Sequence, residues 1–375
     1  ILTNEYLERK KINPFYLRMH LWETKNFDHN NEIQMLSGQI LNETFKLFKN
    51  FEVDPKIKKI SKSILRDSLV SKLDYAFYVY NSINECFIAN KKNDVLIGGS
   101  PSIEGVLMNY VFKKNGGTVR RFSHGGDRTF FDDFFWAESE LQNCSEYYVH
   151  GQGEKKSLEK RQQIGKFDNL GHKIKFVSNG SKKHEKTFHN KTIKIKNKIT
   201  FIPGSYLGFR FMHFASFKPP DLIIADYQKW IISELSNLNY DVTFKLHPKS
   251  VYFFDPKKFF CDWKCKITYN YSEFIDPKET YKPEEDNSEI LIFDFAGTAF
   301  FDALASNKGI VYLNNGSRDF FDDSKAELEK RCSIVDSFLD EKNRIRFDMD
   351  EVISGLKKAS NNSECSNDFF EKYFT

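Results

Sequence analysis

Apolar residues recur at three- and four-residue spacing from Ile33 to Phe51 and from Ile57 to Leu73, which predicts helices over most of the first ninety residues. At Asp94 the pattern changes to short apolar runs broken by glycine. Val95-Leu96-Ile97 runs into Gly98-Gly99-Ser100-Pro101, Ile103 to Lys113 has helical spacing, and Thr118 to Phe122 is a second strand ending in Ser123-His124-Gly125-Gly126. Strand, turn, helix and strand make a βαβ unit, the building block of a parallel sheet. Tyr147-Tyr148-Val149 is a further short strand before Gly151 and Gly153.

Between about Gly165 and Lys198 the chain is polar and Lys-rich without clear periodicity, and reads as a linker, alone or with an excursion. A second series follows. Ile199 to Ile202 is a strand ending at Pro203-Gly204-Ser205, Asp221 to Leu238 a helix, and Asp241 to Leu246 a strand ending at His247-Pro248. Ile290 to Asp294 is a strand, Ala299 to Ser306 a helix and Gly309 to Leu313 a strand. The expected fold class is α/β: two facing Rossmann-like domains with an extra helical N-terminal region. The expected boundaries are 1–90 for the helical region, 91–180 and 198–350 for the two domains, and 351–375 for a C-terminal helix.

Composition agrees with a globular chain. Of 375 residues, 40% are hydrophobic and 29% charged, enough apolar material for cores and unlike a disordered or collagen-like chain. No stretch approaches the roughly 18–20 apolar residues that span a bilayer. The opening Ile1-Leu2-Thr3, without Met or a leader pattern, suggests numbering that starts inside a longer reading frame. A net charge of +4 lacks the concentrated basic face of a nucleic-acid binder, so no nucleic acid is expected. The basic excess between Lys155 and Lys198 reads as a solvated linker or as a patch for anionic lipid or glycan. Six scattered cysteines suit reduced thiols in a cytoplasmic protein, and Cys261 and Cys265 lack the second pair that a zinc site needs. The 38 Phe, with abundant Lys and Asn, reflect an AT-rich genome rather than function.

Three segments put polar or small residues where a strand should end: Ser123-His124-Gly125-Gly126-Asp127-Arg128, Lys245-Leu246-His247-Pro248-Lys249 and Asp294-Phe295-Ala296-Gly297-Thr298. Strand carboxyl ends in such sheets point at the ligand crevice. A helix starting after Gly297-Thr298 would offer free backbone N–H groups to a phosphate. Each segment alone has a plainer reading: a structural histidine, a Pro248 that merely stops its strand, a Thr298 that caps its helix. All three at strand ends of two consecutive α/β units point to function.

These residues carry a resemblance. The order His-Gly, then Lys-x-His-Pro, then Asp-x-x-x-Thr-x-x-x-Asp resembles GT-B-type bacterial transferases of surface-polysaccharide assembly. It is similar to the CDP-glycerol glycerophosphotransferases of teichoic acid synthesis and to capsule and lipopolysaccharide transferases that use CMP-activated sugars. The resemblance runs from about Asp94 to Phe320. It departs at Gly126, where the family has Thr, and at Gly297-Thr298, where it has Ser-Ser, and both departures favour a sugar donor over glycerophosphate.

The resemblance implies that His247 contacts the donor phosphate, with Thr298 and Gly297 beside it. Lys245, on the same side of the strand as His247, adds to the phosphate field or stays solvated; Pro248 shapes the turn. Backbone groups near Pro203 to Leu207, Gly204 and Ser205 among them, and around Phe295 would read the nucleotide base. Arg210 would reach a phosphate or an anionic sugar, or else be a surface residue. His124 is the first candidate base, with Asp127, Asp132 and Asp133 as alternates; Asp132-Asp133 also reads as a solvated loop pair. Asp294 is expected to orient the turn ahead of Gly297. Neither Asp322-Asp323 nor Glu284-Glu285-Asp286 forms a metal array, so neither metal nor cofactor is expected.

The implied activity is an inverting, metal-independent glycosyltransferase. It would move a sugar from a nucleotide-activated donor, CMP-linked by preference, to a surface polysaccharide, lipopolysaccharide or lipid-linked acceptor. A CDP-linked glycerophosphotransferase, a nucleotide-sugar epimerase and a catalytically silent glycan-binding module are the alternatives. The expected place is the cytoplasm, with peripheral contact at the inner face of the cell membrane left open; no convincing amphipathic anchor stands out in the sequence.

Overall fold

Two parallel sheets organise the chain. The computed structural model describes residues 6–7, 31–47, 54–90, 94–97, 103–132, 140–206, 220–247, 259–268 and 281–375. The first sheet holds four strands in the order β1 (Asp94–Ile97), β2 (Thr118–Phe122), β3 (Glu146–Val149) and β4 (Lys175–Ser178), all parallel. The second holds seven, built from β5 (Ile195–Ile202), β6 (Asp241–Lys245), β7 (Lys266–Thr268), β8 (Ser288–Phe293), β9 (Gly309–Asn314), β10 (Ser333–Leu339) and β11 (Ile345–Phe347). Its order is β11-β10-β9-β8-β5-β6-β7, parallel except for the antiparallel β10–β11 edge. The α/β class with two Rossmann-like units is as expected.

The helices follow the sequence pattern closely. Helices α1 (Asn31–Leu47) and α2 (Pro55–Asn90) precede the first sheet; α3 (Ile103–Lys114) and α4 (Gln152–Gln163) belong to it. The stretch expected as a linker instead contains β4 and α5 (Lys182–His189). From Lys155 to Lys198, six of the thirteen lysines pair with carboxylates: Lys155, Lys160, Lys166, Lys175, Lys183 and Lys191. Helices α6 (Asp221–Asn237), α7 (Thr298–Leu304), α8 (Ser324–Leu328) and α9 (Met349–Asn361) serve the second sheet. The expected single C-terminal helix is two, because Ser366 starts a fresh cap, its hydroxyl accepting Phe369 N–H, and α10 spans Asn367–Phe374.

Strand β8 is apolar on both faces, as a sandwiched parallel strand must be. Ile290 and Ile292 pack with Tyr227, Ile231 and Leu356, while Leu291 and Phe293 pack with Phe300, Phe301 and Tyr312. The second of these clusters also takes in Phe130 and Phe131 from the first unit and Phe369, Phe370, Tyr373 and Phe374 from α10. The two units therefore share a core. Backbone pairing stitches the same junction: Phe131 bridges Phe320, Asp132 N–H donates to Asp319 O at 2.9 Å, and Phe321 N–H donates to Phe130 O at 3.0 Å.

Helix α10 then crosses back to the first unit. A side chain at Gly151 would stand 2.3 Å from the Tyr373 carbonyl carbon, and one at Gly153 would meet the Tyr373 ring at 2.5 Å. Glycine at both places lets the helices approach.

Candidate functional site

The second sheet reverses direction beside β5. From β5 the chain builds β6 and β7 on one side, then returns to lay β8, β9 and β10 on the other. Beyond the carboxyl ends of the two strands flanking such a reversal, α/β sheets take their ligands. Ile202 lies opposite Phe293, so Pro203-Gly204-Ser205 and Asp294 leave the sheet side by side. Phe244 lies opposite Phe201, which brings Lys245 and His247 out on the next strand along.

One buried network binds these loops together. Asp294 Oδ1 accepts the Gly204 N–H at 2.8 Å, and Oδ2 accepts the Tyr227 hydroxyl at 2.8 Å and Gln228 Nε2 at 2.5 Å. Tyr206 donates to Gln228 Oε1. Asn315, just past β9, donates from Nδ2 to Tyr227 Oη at 3.0 Å and to the Asp294 carbonyl at 3.2 Å, while its Oδ1 accepts Ser317 N–H at 3.1 Å. Burial and the Asp294 charge push the Tyr227 hydroxyl well above its usual range, so it remains a proton donor. Asp294 thus fixes the turn at Gly204, not the turn ahead of Gly297, because its carboxylate points across to the neighbouring strand.

Lys245, the last residue of β6, and His247 are both half-buried, with buried Leu246 between them. The Lys245 ammonium lies 4.9 Å from the centre of the Tyr281 ring. Gly297, rather than Thr298, is the N-cap of α7; Thr298 is the first helical residue and supplies no side-chain cap. Pro248 and Arg210 lie outside the described residues, as does Asp133.

His124 is exposed at the carboxyl end of β2, on a turn held from beneath. Ser123 Oγ donates to Glu154 Oε1 at 2.7 Å, and Gly126 N–H donates to Ser123 Oγ at 3.3 Å. Gly126 has φ +72°, and a Cβ there would stand 2.3 Å from the Phe301 ring, so the His124 turn rests directly on the second unit. The Asp127 side chain is outside the described part of the molecule, although its backbone opens the short 3-10 turn Asp127–Thr129. Asp132 lies in the stitched junction and pairs with Lys166 at 2.9 Å. Asp322 pairs with Lys160 at 2.6 Å, and the Asp286 carboxylate is held by Tyr281 and Ser288 N–H.

Sequence reasoning passed over a second buried polar group at the junction. Glu154 Oε2 accepts His150 N–H at 2.9 Å and lies 3.3 Å from His150 Nδ1. The His150 ring packs against Phe301 and His184, with centres 4.9 and 5.4 Å away. Asp302 receives His184 Nε2 at 2.8 Å and Lys183 Nζ at 2.5 Å. The signal for His150 was its place just after the apolar strand Tyr147-Tyr148-Val149; His184 lay hidden in the Lys-rich stretch. Among the described residues, no group of three or more His, Cys, Asp or Glu side chains is arranged to hold a metal ion. A separate recess of about 610 Å3, lined by Gln152, Asn179, Ser181, His189 and Phe370 among others, contains none of the expected site residues.

No protein-family model matches the chain, and no curated protein matches it. Several solved structures are similar to the chain. The chain is similar to the S. aureus MnaA–UDP co-structure, at 13% identity over 79% of this chain and 77% of that one, with a TM-score of 0.44. It is similar to UDP-GlcNAc 2-epimerase from Neisseria meningitidis bound to UDP-GlcNAc, at 10% identity over 80% and 78% of the two chains and a TM-score of 0.45. It is also similar to the glycosyltransferase SnogD from Streptomyces nogalater, at 9% identity over 77% and 75% and a TM-score of 0.35.

Proposed function

We propose that this chain is an enzyme that binds a nucleotide-activated sugar at the carboxyl edge of the seven-stranded sheet and transfers the sugar to a glycan or lipid-linked acceptor. The observation that carries the reading is the strand-order reversal beside β5, where the buried Asp294 carboxylate holds the Gly204 turn open at the crevice. A nucleotide phosphate gains negative charge as it leaves the sugar. The Lys245 ammonium and a His247 N–H are the side-chain donors at the adjoining strand end, and a neutral imidazole suffices for one such bond. His124, accessible on the first unit, takes the proton of the attacking hydroxyl. Attack opposite the leaving nucleotide inverts the anomeric centre. The resemblance favours a CMP-linked donor and a surface-polysaccharide or lipopolysaccharide acceptor.

Thermal unfolding with CMP-, CDP-, UDP- and GDP-linked donors identifies the nucleotide, because a ligand of the native state raises its melting temperature. Nucleotide release that requires an acceptor supports transfer. Conversion of the donor with no acceptor present replaces transfer by epimerisation, which the same crevice can serve. Failure to bind any donor leaves a silent glycan-binding module.

A further inference from the structure

The recess of about 610 Å3 opens at the carboxyl edge of the first sheet, the edge at which parallel α/β sheets meet their ligands. Gln152 begins α4 just past β3, and Ser178 to Ser181 carry the chain out of β4, the strand beside it. Two helix faces supply the rest. Glu185 and Phe188 stand three residues apart on α5, and Asn367, Phe370, Glu371 and Phe374 follow one another at three- and four-residue spacing on α10. Phe188 lies flat on Phe370, with ring centres 4.1 Å and planes 21° apart, and Phe370 lies on Phe374 at 5.4 Å and 25°. One wall is therefore a short stack of aromatic rings. The remainder is polar. Helix α5 carries Lys182, Lys183 and Lys186, yet among the described residues that line the recess none is Lys or Arg. The exposed side chains of Gln152, Glu185, Asn367 and Glu371 make no hydrogen bond or ion pair with another described residue.

We infer that this recess binds an uncharged sugar unit of a glycan, apart from the crevice of the second sheet. Its volume falls within the roughly 300–1,000 Å3 of small-molecule sites. The electron-rich face of an aromatic ring suits the C–H face of a pyranose. Carboxylates accept from the sugar's hydroxyl groups, and the Gln152 and Asn367 amides can both donate and accept. A phosphate or a sugar acid is disfavoured, since Glu185 and Glu371 repel it and no Lys or Arg lines the recess to offset them. The nucleotide of a donor is thus not its ligand. The inference goes beyond the sugar-transfer reading and does not depend on it, because none of the residues given a role there lines the recess.

Saturation-transfer NMR on the full chain with glucose, N-acetylglucosamine and glucuronic acid tests it. Both neutral sugars are expected to take up saturation on their ring C–H protons, with the roughly millimolar Kd of so small a ligand. Glucuronic acid should bind about tenfold more weakly. Glu371→Lys, at an exposed position, should weaken glucose binding about tenfold while keeping the wild-type melting curve. Phe188→Leu should weaken it by a similar factor through the lost ring. Absence of binding by either neutral sugar at about 10 mM overturns the proposal. So does equal binding of glucuronic acid, or glucose binding that survives both variants. Displacement of glucose by CMP, CDP, UDP or GDP places the sugar in the other crevice and overturns it as well. A lysine tripeptide that binds where glucose does not, and that Glu371→Lys releases, overturns it in favour of a protein partner.

Discussion

His184 Nε2 donates to Asp302 Oδ1 at 2.8 Å across the junction of the two units, with both side chains almost wholly buried. Burial lowers the His184 pKa below its ordinary 6.5, with Asp302 opposing that shift, so the ring is neutral and carries its proton on Nε2. The Asp302 carboxyl is likewise held below the usual carboxylate range by His184 and Lys183, against the cost of burial.

The pH dependence of stability follows from these directions. As pH falls below about 6.5 the unfolded chain takes up a proton at His184 that the folded chain resists, and stability drops. Asp302 adds a loss of the same sign below its ordinary 3.8. The melting temperature should fall between pH 7.5 and 5.5, and His184→Gln should flatten that dependence while lowering the plateau. An unchanged slope in the variant would remove His184 as the cause.

Asp294→Ala should cost on the order of 3 kcal/mol, since it leaves the Gly204 N–H, the Tyr227 hydroxyl and Gln228 Nε2 without their shared buried acceptor. Denaturant unfolding measures the loss. The donor-induced thermal shift should shrink further than stability alone explains, because the Gly204 turn is released.

Gly126→Ala places a methyl group into the Phe301 ring at a backbone φ of +72°. Left-handed strain and overpacking together should destabilise the fold by about 2–5 kcal/mol. Gly116 has φ +83° with nothing within 4 Å, so Gly116→Ala carries strain alone and serves as the control. Equal melting temperatures for the two variants would deny the contact with Phe301.

Lys308 is fully buried, and its ammonium finds no hydrogen-bond partner among the described residues; burial brings its pKa from 10.5 down to about 8. The unfolded chain therefore holds the proton more tightly, and this lysine destabilises the fold increasingly as pH falls from 10.5 toward 8. Lys308→Met should stabilise by about 1–3 kcal/mol at pH 7. The gain should fade above pH 10.5, which paired melting curves at the two pH values would register.

His124→Ala should abolish turnover with nucleotide affinity nearly unchanged, and His247→Ala should weaken nucleotide binding. Calorimetric titration with the donor nucleotide, beside a turnover assay, separates the two. Retained turnover in His124→Ala would move the base to another residue.

Strand ends were legible where the apolar run was clean. The sequence pattern places β2 at Thr118–Phe122 and the helix after Pro220 to within a residue, because apolar periodicity and a glycine or proline stop coincide. Strand β4 escaped notice since Lys175-Phe176-Val177-Ser178 buries only Phe176 deeply and sits among lysines. Strands β10 and β11 escaped for a related reason: Asp336, Ser337 and Arg346 break their apolar alternation, and Arg346 is tied to Asp226 at 2.7 Å. His124, His247 and Gly297 could be singled out because they end strands or begin a helix. Tyr227 and Gln228 could not, because they lie mid-helix, and only the tertiary fold turns them toward Asp294.

The crossing of α10 has a bearing on biosynthesis. Strands of the first unit leave the ribosome well before α10, yet the surface around Gly151 and Gly153 is closed by Tyr373 and Phe374 of that helix. Until α10 has been made, that face stays open and its glycine-lined groove lacks a lid, so the arrival of α10, not completion of either sheet, sets the moment at which the native junction can seal.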